Sequence, residues 1–433
     1  MSKADFVTRL PVLLRPDPAR MVIRPYTPAA DPPRYEITDH PRAQRIADRV
    51  LALDEAALHE ELQRLLLDFS GRHRNVAEIF LRRFHEVNGL VICPCEVSHD
   101  RALLIGAYFC NEYTYEAAAL FNPSIVPHPD QSGVPAGAIR FVLSLRGVGE
   151  GHISSVTFRT GVFGPSGSVA IDPPSPRPIV LQAEAIIGDG TGDPGARIHC
   201  DGSHDLSEVV IFPTTPSQRN GIEDLRLVRF VEEDETAIYF GTYTAFSGQA
   251  IRQELLRTRD FRTFELLPFR GDATSSKGMA LFPRRIDGKY GMLGRQDNEN
   301  IWVLTSENLY DWNGGVKTVS PRWPWEFVQI GNCGSPIEIA EGWLVITHGV
   351  GTARNYCLGA CLLDRRDPSR LLARVTHPLI RADAAEREGY VPNVTYSCGA
   401  MVHDRTLVLP YAIADSFTTF ATMSLDRLLA AME

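Results

Sequence analysis

Residues 140–161, RFVLSLRGVGEGHISSVTFRTG, hold two short apolar runs on either side of a glycine-rich turn. Both runs are rich in β-branched or aromatic residues and nearly alternate between apolar and polar positions, which indicates β-strands. Little helical periodicity interrupts the later chain before its last dozen residues. Similar runs recur downstream between turns rich in Gly, Pro, Asn and Asp, at 227–231, 237–243, 290–293, 301–305, 342–347 and 406–411. Many short, evenly spaced antiparallel strands predict a barrel, a sandwich or a propeller.

The first third of the chain has a different pattern. Apolar residues recur near the helical period over 40–68 and 75–88, and a third helix is predicted from about 101 to 120. After Asn122-Pro123 this pattern gives way to short strands. We therefore predict a mainly helical extension over residues 1–119 and an all-β domain over 120–433. A loose strand–turn–strand repeat, clearest at 257–266 and 304–313, favours a propeller.

Composition narrows the class of protein. Of 433 residues, 44 % are apolar and 22 % are charged, as in soluble globular proteins. The net charge is −9 and no Lys/Arg-rich run stands out, which argues against a nucleic-acid partner. We find no signal-peptide pattern and no apolar run of membrane-spanning length, so we expect a cytoplasmic protein without a membrane partner.

The cysteines are scattered and form no Cys-x-x-Cys pair, so we predict reduced thiols, most of them small buried apolar residues, and no metal site. They are Cys93, Cys95, Cys110, Cys200, Cys333, Cys357, Cys361 and Cys398. The chain also lacks a Gly-x-Ser-x-Gly elbow, a Walker loop and a His-Glu-x-x-His motif.

The strongest local candidate for chemistry is NGIEDLRLVRF, residues 220–230. Neighbouring residues of a regular strand point to opposite faces, so only one of Glu223 and Asp224 is expected to face a ligand. Asp224 and Arg226, two residues apart, could share a face. The alternative is a turn with a surface ion pair.

Charged residues of the glycine-rich hairpin form a second candidate. Glu150 and His152 are two residues apart and suit an acid/base or metal pair, or else are solvated charges of the turn. In a third candidate, Lys277 precedes an apolar strand and Arg295 ends one. Both are suited to binding phosphate, Lys277 through a point charge and Arg295 through its forked guanidinium. The alternative is that they are two unrelated surface cations.

Three further polar residues lie in or beside apolar strands. Glu338 is inside a strand and His348 ends one, so both need polar partners. Trp343, between them, either stacks on a sugar ring or fills the core. Asp415 follows a strand, where site residues often lie, or simply forms a turn.

Taken together and in this order, these segments resemble glycoside hydrolase family 130, the mannoside phosphorylases and mannosidases. The resemblance runs from Asn122-Pro123 nearly to the C-terminus. Its motifs are Asn122-Pro123, Arg146, Glu223-Asp224-Leu225-Arg226, Tyr243-Thr244-Ala245-Phe246, 277–283, Arg295, 335–349, 356–368, 392–403 and Asp415.

The resemblance implies a five-bladed β-propeller with its active site at the mouth of the central channel. It implies inverting cleavage of terminal β-mannosidic bonds by phosphorolysis to α-mannose 1-phosphate, with Asp224 as the general acid. Inorganic phosphate, the co-substrate, would bind Lys277 and Arg295; no other cofactor and no metal is implied. Residues expected to bind the oligosaccharide are Asn122, Arg146, Glu223, Arg226, Tyr243, Glu338, His348, Tyr356 and Asp415.

The sequence also departs from the family pattern. The phosphorylases place an Arg, often followed by Asn, where this chain has 247–249, Ser-Gly-Gln, and they commonly have His where it has Gly294. Arg159 could replace a missing phosphate ligand. Alternatively, Glu150 could be the second carboxylate that activates water in an inverting β-mannosidase. A non-catalytic glycan-binding propeller is the third interpretation.

The N-terminal extension is expected to pack on the propeller, where it would cover the site mouth or mediate self-association.

Overall fold

The computed structural model describes residues 6–32, 40–93, 96–187 and 194–433, which form two compact units. The larger unit comprises the described parts of 1–18, 115–174 and 181–433, and the smaller one those of 19–114 and 175–180. The fold is mostly β with few helices, as the sequence predicts. The domain division predicted between residues 119 and 120 stays a prediction.

Among its described residues, the smaller unit contains four helices and a strand pair. The helices are Arg42–Leu51, Glu55–Ser70, Val76–Val87 and His99–Tyr108, and the strands Met21–Pro25 and Cys110–Thr114 pair antiparallel; Ile179–Val180 is a further short strand. The helix predicted over 40–68 is two helices, because the chain turns at 52–54 and Asp54 caps the second by accepting from the Ala57 N–H at 2.8 Å.

The helix predicted over 101–120 is wrong in its second half. It ends at Tyr108, and the following residues pair as a strand with Met21–Pro25, a partner far away in sequence. Such non-local pairing overrides local helical periodicity. Another element without a sequence signal is the strand Val7–Leu14, which belongs to the larger unit and pairs with Phe417–Ser424.

The larger unit consists of five groups of antiparallel strands among the described residues, which we call meanders 1 to 5. Meander 1 contains Ala119–Pro127, Ile139–Val148, Ser154–Phe163, Val169–Ile171 and Val209–Ile211. Meander 2 contains Gln182–Ile187, Pro194–His199, Gly221–Val231, Ala237–Phe246, Ile251–Thr258 and Thr263–Pro268. Meanders 1 and 2 meet through a single parallel pairing of Gly221 with Ser154.

The remaining meanders follow in chain order, and the short helix Leu425–Ala430 ends the unit. Meander 3 contains Ala280–Leu281, Tyr290–Gly294, Ile301–Ser306 and Val316–Val319. Meander 4 contains Gln329–Asn332, Ile337–Ile339, Gly342–Val350, Tyr356–Leu363, Leu371–Arg374 and Ile380–Arg381. Meander 5 contains Thr395–Tyr396, Met401–His403, Thr406–Ile413, Phe417–Ser424 and the N-terminal strand Val7–Leu14.

Each meander shares one buried apolar core with the next, and meander 5 shares one with meander 1. Representative pairs, in order from the core of meanders 1 and 2 to that of meanders 5 and 1, are Phe158 with Phe264, Phe240 with Met292, Val303 with Val345, Ile346 with Leu409, and Phe420 with Leu143. Burial of such surfaces is the main favourable term in folding. The order of packing therefore returns to its starting point.

Several side chains are accounted for by this packing. Trp343 fills the core, with its ring fully buried and 5.1 Å from that of Phe282. The seven described cysteines are free thiols and five of them are buried, whereas Cys95 lies outside the described residues. Within the described ranges, no helix combines the length and apolarity that crossing a membrane requires.

Candidate active site

The site is built on an irregularity in the strand Gly221–Val231. Its register with Ala237–Phe246 shifts between Glu223 and Arg226, and Asp224 has a left-handed backbone with φ 56°. Both carboxylates consequently reach Arg146: Nη2 donates to Glu223 Oε1 at 2.8 Å, and Nη1 donates to Asp224 Oδ1 at 3.2 Å. The expectation that only one of the two faces the site is wrong, because the strand is not regular here.

A second irregularity supplies the amide of Asn122. The register of Ala119–Pro127 with its neighbour shifts between Phe121 and Ser124, and Asn122 has φ 50°. Its Nδ2 donates to Asp224 Oδ1 at 2.6 Å. A non-glycine residue in this conformation costs about 1–3 kcal/mol, and such strain concentrates at functional sites. Two neighbouring positions with this strain therefore serve to aim Asn122 and Asp224 at each other.

Cations surround the two carboxylates. Lys277 Nζ donates to Glu223 Oε2 at 2.6 Å, so Glu223 is held by Arg146 on one oxygen and by Lys277 on the other. Arg226 is buried and donates to the Asp224 carbonyl at 3.3 Å and to Tyr396 Oη at 2.7 Å. The phenol of Tyr396 thereby fixes the guanidinium beside Asp224.

A further cation, Arg295, lies against a buried imidazole. Arg295 Nη1 is 3.0 Å from His348 Nε2. Burial, and then the charges of Arg295 and Arg226, hold the pKa of His348 well below its usual range. His348 is therefore neutral and accepts from Arg295. The ring of Tyr356 stacks on it at 5.9 Å, and that of Tyr396 meets it edge-on at 4.9 Å.

Asp224 and Asp415 have pKa values shifted in opposite directions. Burial by itself raises the pKa of Asp224, but Arg146, Arg226 and Lys277, together with the Asn122 hydrogen bond, outweigh it and lower the pKa. Burial, and then the Asp224 charge, raise the pKa of Asp415 to about 6 against the opposing effect of Arg146 and Arg354. A proton therefore occupies Asp415 in preference to Asp224.

A cavity of about 260 Å³ opens beside Arg146 and Glu223. Its walls are mainly apolar, and the other lining residues with polar side-chain atoms are Asn220, His152 and Tyr390. The complete lining is Ala118, Ala119, Phe121, Arg146, Val148, Gly151, His152, Asn220, Glu223, Phe246 and Tyr390. A largely apolar cavity with a few convergent polar groups is the usual form of a small-molecule site.

Comparison with known proteins identifies the family. The model of glycoside hydrolase family 130, described as beta-1,4-mannooligosaccharide phosphorylase, matches residues 199–433. The chain belongs to glycoside hydrolase family 130. A 1,2-beta-oligomannan phosphorylase of Thermoanaerobacter sp. (strain X514) is 33 % identical over 226 residues, 51 % of this chain and 74 % of the relative.

Other members of family 130 are similarly related. A beta-1,2-mannobiose phosphorylase of Listeria innocua is 30 % identical over 233 residues, 52 % of this chain and 63 % of that relative. A solved structure of the Listeria innocua beta-1,2-mannobiose phosphorylase in complex with beta-1,2-mannobiose superposes with a TM-score of 0.53 at 19 % identity, covering 72 % of this chain and 92 % of the other. This structural likeness shows a shared fold.

Most of the residues that the family 130 resemblance singled out meet in one place. Asn122, Arg146, Glu223 and Lys277 are joined to one another or to Asp224 by direct hydrogen bonds. The others belong to the same cluster through Arg226, through ring contacts or through charge interactions: Arg295, His348, Tyr356 and Asp415.

Two predicted residues have partners outside this cluster. Tyr243 is fully buried and donates to Glu254 Oε2 at 2.7 Å. Glu338 receives hydrogen bonds at 2.8 Å from both Arg284 Nε and Nη2, and at 2.9 Å from Arg365. These contacts give Tyr243 a role in the core and Glu338 one in a surface ion-pair network.

Two residues offered as alternatives do not line this cavity. Arg159, proposed as a substitute phosphate ligand, is 3 % exposed and is paired with Glu116 at 3.0 Å. A buried pair of this kind leaves the guanidinium committed to its carboxylate, so we withdraw Arg159 from the phosphate site. Glu150 is exposed in the short 3₁₀ turn Glu150–His152, and it is His152, not Glu150, that lines the cavity.

Sequence reasoning missed three residues of the site. Tyr396 lies within the segment 392–403 that carries the resemblance, so its motif was a usable signal. Tyr390 lies in a loop and Arg354 ends the short 3₁₀ turn Thr352–Arg354, and in neither place does periodicity indicate which way a side chain points. Arg354 interacts with the charge of Asp415, and Tyr390 lines the cavity.

Proposed function

We propose that the chain is an inverting β-mannoside phosphorylase that converts a terminal β-mannosyl residue and inorganic phosphate into α-mannose 1-phosphate. One observation carries the proposal: two carboxylates, Glu223 and Asp224, share a single site with the cations Arg146, Lys277 and Arg226. Hydrolysis needs no binding site for a dianion. Phosphorolysis requires cations that hold phosphate next to the acid, and such electrostatic positioning is usually the largest catalytic term.

The fold proposed for this activity is a five-bladed propeller. The five meanders would be its blades, and the cyclic order of the shared cores supports this arrangement. The strand Val7–Leu14 would close the ring, because it joins the last meander, whose core is shared with the first. The site residues come from meanders 1, 2, 4 and 5 and from the connections beside meander 3, as expected for side chains converging on a central channel.

In the proposed reaction, Asp224 is the general acid and phosphate is the nucleophile. A phosphate oxygen attacks the anomeric carbon while the glycosidic C–O bond breaks on the opposite face. The departing oxygen takes up a proton that originates on Asp224, by way of a sugar hydroxyl as the family resemblance implies. The products are α-mannose 1-phosphate and the shortened acceptor sugar.

Phosphate binding also supplies a reason for Asp224 to hold that proton. By themselves, the neighbouring cations keep the pKa of Asp224 low. A bound dianion near Lys277 offsets part of this positive field and therefore raises the Asp224 pKa. The acid would thus become protonated when its nucleophile is in place. Neutral His348 fits the same site, because it can orient Arg295 without adding a charge.

An inverting β-mannosidase is the second candidate, favoured by the small number of phosphate ligands. At Gly294, a Cβ would lie 2.7 Å from Gln296 Oε1 and 2.8 Å from Leu304 Cδ1, so a histidine there would need its surroundings to shift. Arg159 is paired with Glu116 and is therefore not available to bind phosphate.

A cytoplasmic location remains part of the first proposal, because phosphorolysis conserves the bond energy as a sugar phosphate.

The test is a screen of purified protein on β-1,2-, β-1,3- and β-1,4-mannobiose, each with and without inorganic phosphate. The β-1,2 linkage is expected to be preferred, since the relatives reported above are named for 1,2-linked substrates. Phosphate-dependent sugar phosphate supports the proposal. Free mannose formed equally without phosphate supports the hydrolase. Turnover of none of them would contradict both.

A further inference from the structure

The cavity beside Arg146 has the surface that a sugar ring requires. Phe121, Val148 and Phe246 provide apolar walls, while Arg146 and Asn220 provide polar groups. Pyranose rings combine apolar C–H faces with hydroxyls around their edges. A pocket of about 260 Å³ with both kinds of surface suits one sugar unit better than a charged or wholly apolar ligand.

Two side chains from distant parts of the chain form the rim of this cavity. Tyr390 Oη lies 3.3 Å from His152 Nδ1, and the two rings are 5.9 Å apart. His152 is held in a left-handed conformation, φ 58°, at the end of the glycine-rich turn. The Tyr390 N–H donates to Ser416 Oγ at 2.8 Å, which anchors the tyrosine next to Asp415. The rim is therefore attached at both ends to segments that carry site residues.

The two partners of the Glu223 carboxylate indicate which part of the substrate binds in the cavity. Its Oε1 is bound by Arg146, which lines the cavity, and its Oε2 by Lys277, which does not. Inversion requires the nucleophile and the leaving group to be on opposite faces of the reacting sugar. With phosphate on the Lys277 side, the leaving sugar lies on the Arg146 side.

We infer that this cavity binds the sugar that leaves during phosphorolysis, and that His152 and Tyr390 determine which acceptor sugars the enzyme accepts. The inference rests on the proposed phosphorylase activity and adds to it the position of the acceptor. His152 and Tyr390 touch the acceptor and each other, so they set acceptor affinity and leave the phosphate side unaffected.

The experiment compares wild type with Tyr390→Ala, Tyr390→Phe and His152→Ala in both reaction directions. For Tyr390→Ala we expect the KM for mannobiose, and for the acceptor in synthesis from α-mannose 1-phosphate, to rise about tenfold through loss of the aromatic contact. The KM values for phosphate and for α-mannose 1-phosphate should not change. Tyr390→Phe keeps the ring and should have a smaller effect than Tyr390→Ala.

Phe327→Ala is the matched control, because Phe327 is as exposed as Tyr390, 62 % against 60 %, and does not line the cavity. It should leave every KM unchanged. Circular dichroism checks that all variants fold. If wild type is a phosphorylase and Tyr390→Ala and His152→Ala keep the wild-type acceptor KM, the inference is wrong. If wild type phosphorolyses no mannobiose, the proposed function fails and the inference fails with it.

Discussion

Glu223 and Asp224 are consecutive residues, yet their carboxylates both bind the guanidinium of Arg146, at 2.8 Å and 3.2 Å. The left-handed conformation of Asp224 makes this possible by interrupting the alternation of the strand. The strained backbone of this one residue directs both carboxylates towards Arg146, but their other hydrogen-bond partners differ. Glu223 is held by two cations, whereas Asp224 also receives the amide of Asn122.

Asp224→Asn is expected to abolish most turnover while preserving the fold. The amide keeps the shape of the side chain but cannot supply a proton, and general acid catalysis is commonly worth about 10²–10⁴-fold in rate. The initial rate on the best mannobiose measures the effect. Asp201→Asn, a change at an exposed aspartate, is the control and should keep wild-type activity. A variant of Asp224 that retains most of its activity would contradict the assignment of the acid.

Lys277→Met should weaken the binding of phosphate more than the binding of the sugar. A hydrogen bond to a charged group contributes about 1.5–3 kcal/mol, so the KM for phosphate should rise about 10- to 100-fold. The measurement is the phosphate dependence of the rate at saturating mannobiose. Lys289→Met serves as the control, because Lys289 pairs only loosely with Glu307, at 3.7 Å on the surface. An unchanged phosphate KM in Lys277→Met would exclude Lys277 from the anion site.

Asp415→Asn should stabilise the protein at neutral to alkaline pH and not at acidic pH. Asp415 has a folded-state pKa raised to about 6, so ionising it costs the native state more than the unfolded one. The favourable contribution of its protonated form is fully present below the unfolded pKa and is lost as pH rises through 6. Because Asp415 is partly exposed, we expect a gain of about 2 kcal/mol at about pH 8 and none at about pH 4.

The check is the unfolding midpoint of wild type and Asp415→Asn across that pH range, with Asp201→Asn as a carboxylate-removal control. A stability difference that does not vary with pH would show that Asp415 ionises normally. A difference that grows towards acidic pH would give the shift the opposite sign. Activity is not a suitable readout here, because Asp415 lies close to the proposed acid.

The variant Arg159→Met distinguishes a structural role of Arg159 from a role in binding phosphate. Removing Arg159 takes away the guanidinium that pairs with the fully buried carboxylate of Glu116, and breaking a buried pair in this way costs about 3–5 kcal/mol. We expect a lower unfolding midpoint and an unchanged phosphate KM. The double variant Glu116→Gln/Arg159→Met should recover part of the stability. A raised phosphate KM in soluble, folded Arg159→Met would return Arg159 to the anion site.

The sequence predicts the β-strands of residues 120–433 well because their apolar alternation is local. Through the family motifs it also predicts Asn122, Arg146, Glu223, Asp224 and Lys277 as site residues, and the structure joins their side chains by hydrogen bonds. It does not predict Val7–Leu14 as a strand, because that strand depends on a partner some 400 residues away, at Phe417–Ser424. Pairing at such a distance has no signature in a short window of sequence.

The direction in which a side chain points is the other feature that the sequence does not predict. Tyr243 and Glu338 matched the family pattern, yet the structure turns them towards Glu254 and towards Arg284. The backbone of Asp224 is the clearest case, since one residue with positive φ lets two consecutive carboxylates face the same guanidinium. Tyr390 shows the converse: it reaches the cavity from a loop, where spacing carries no information about orientation.

The most direct test of the account follows the products of β-1,2-mannobiose by nuclear magnetic resonance, in phosphate and in a phosphate-free buffer. The phosphorylase proposal predicts α-mannose 1-phosphate as the first product, formed only when phosphate is present, with one acceptor mannose released per phosphate consumed. Free mannose released at the same rate in both buffers, with no sugar phosphate, would contradict it and make the protein an inverting hydrolase.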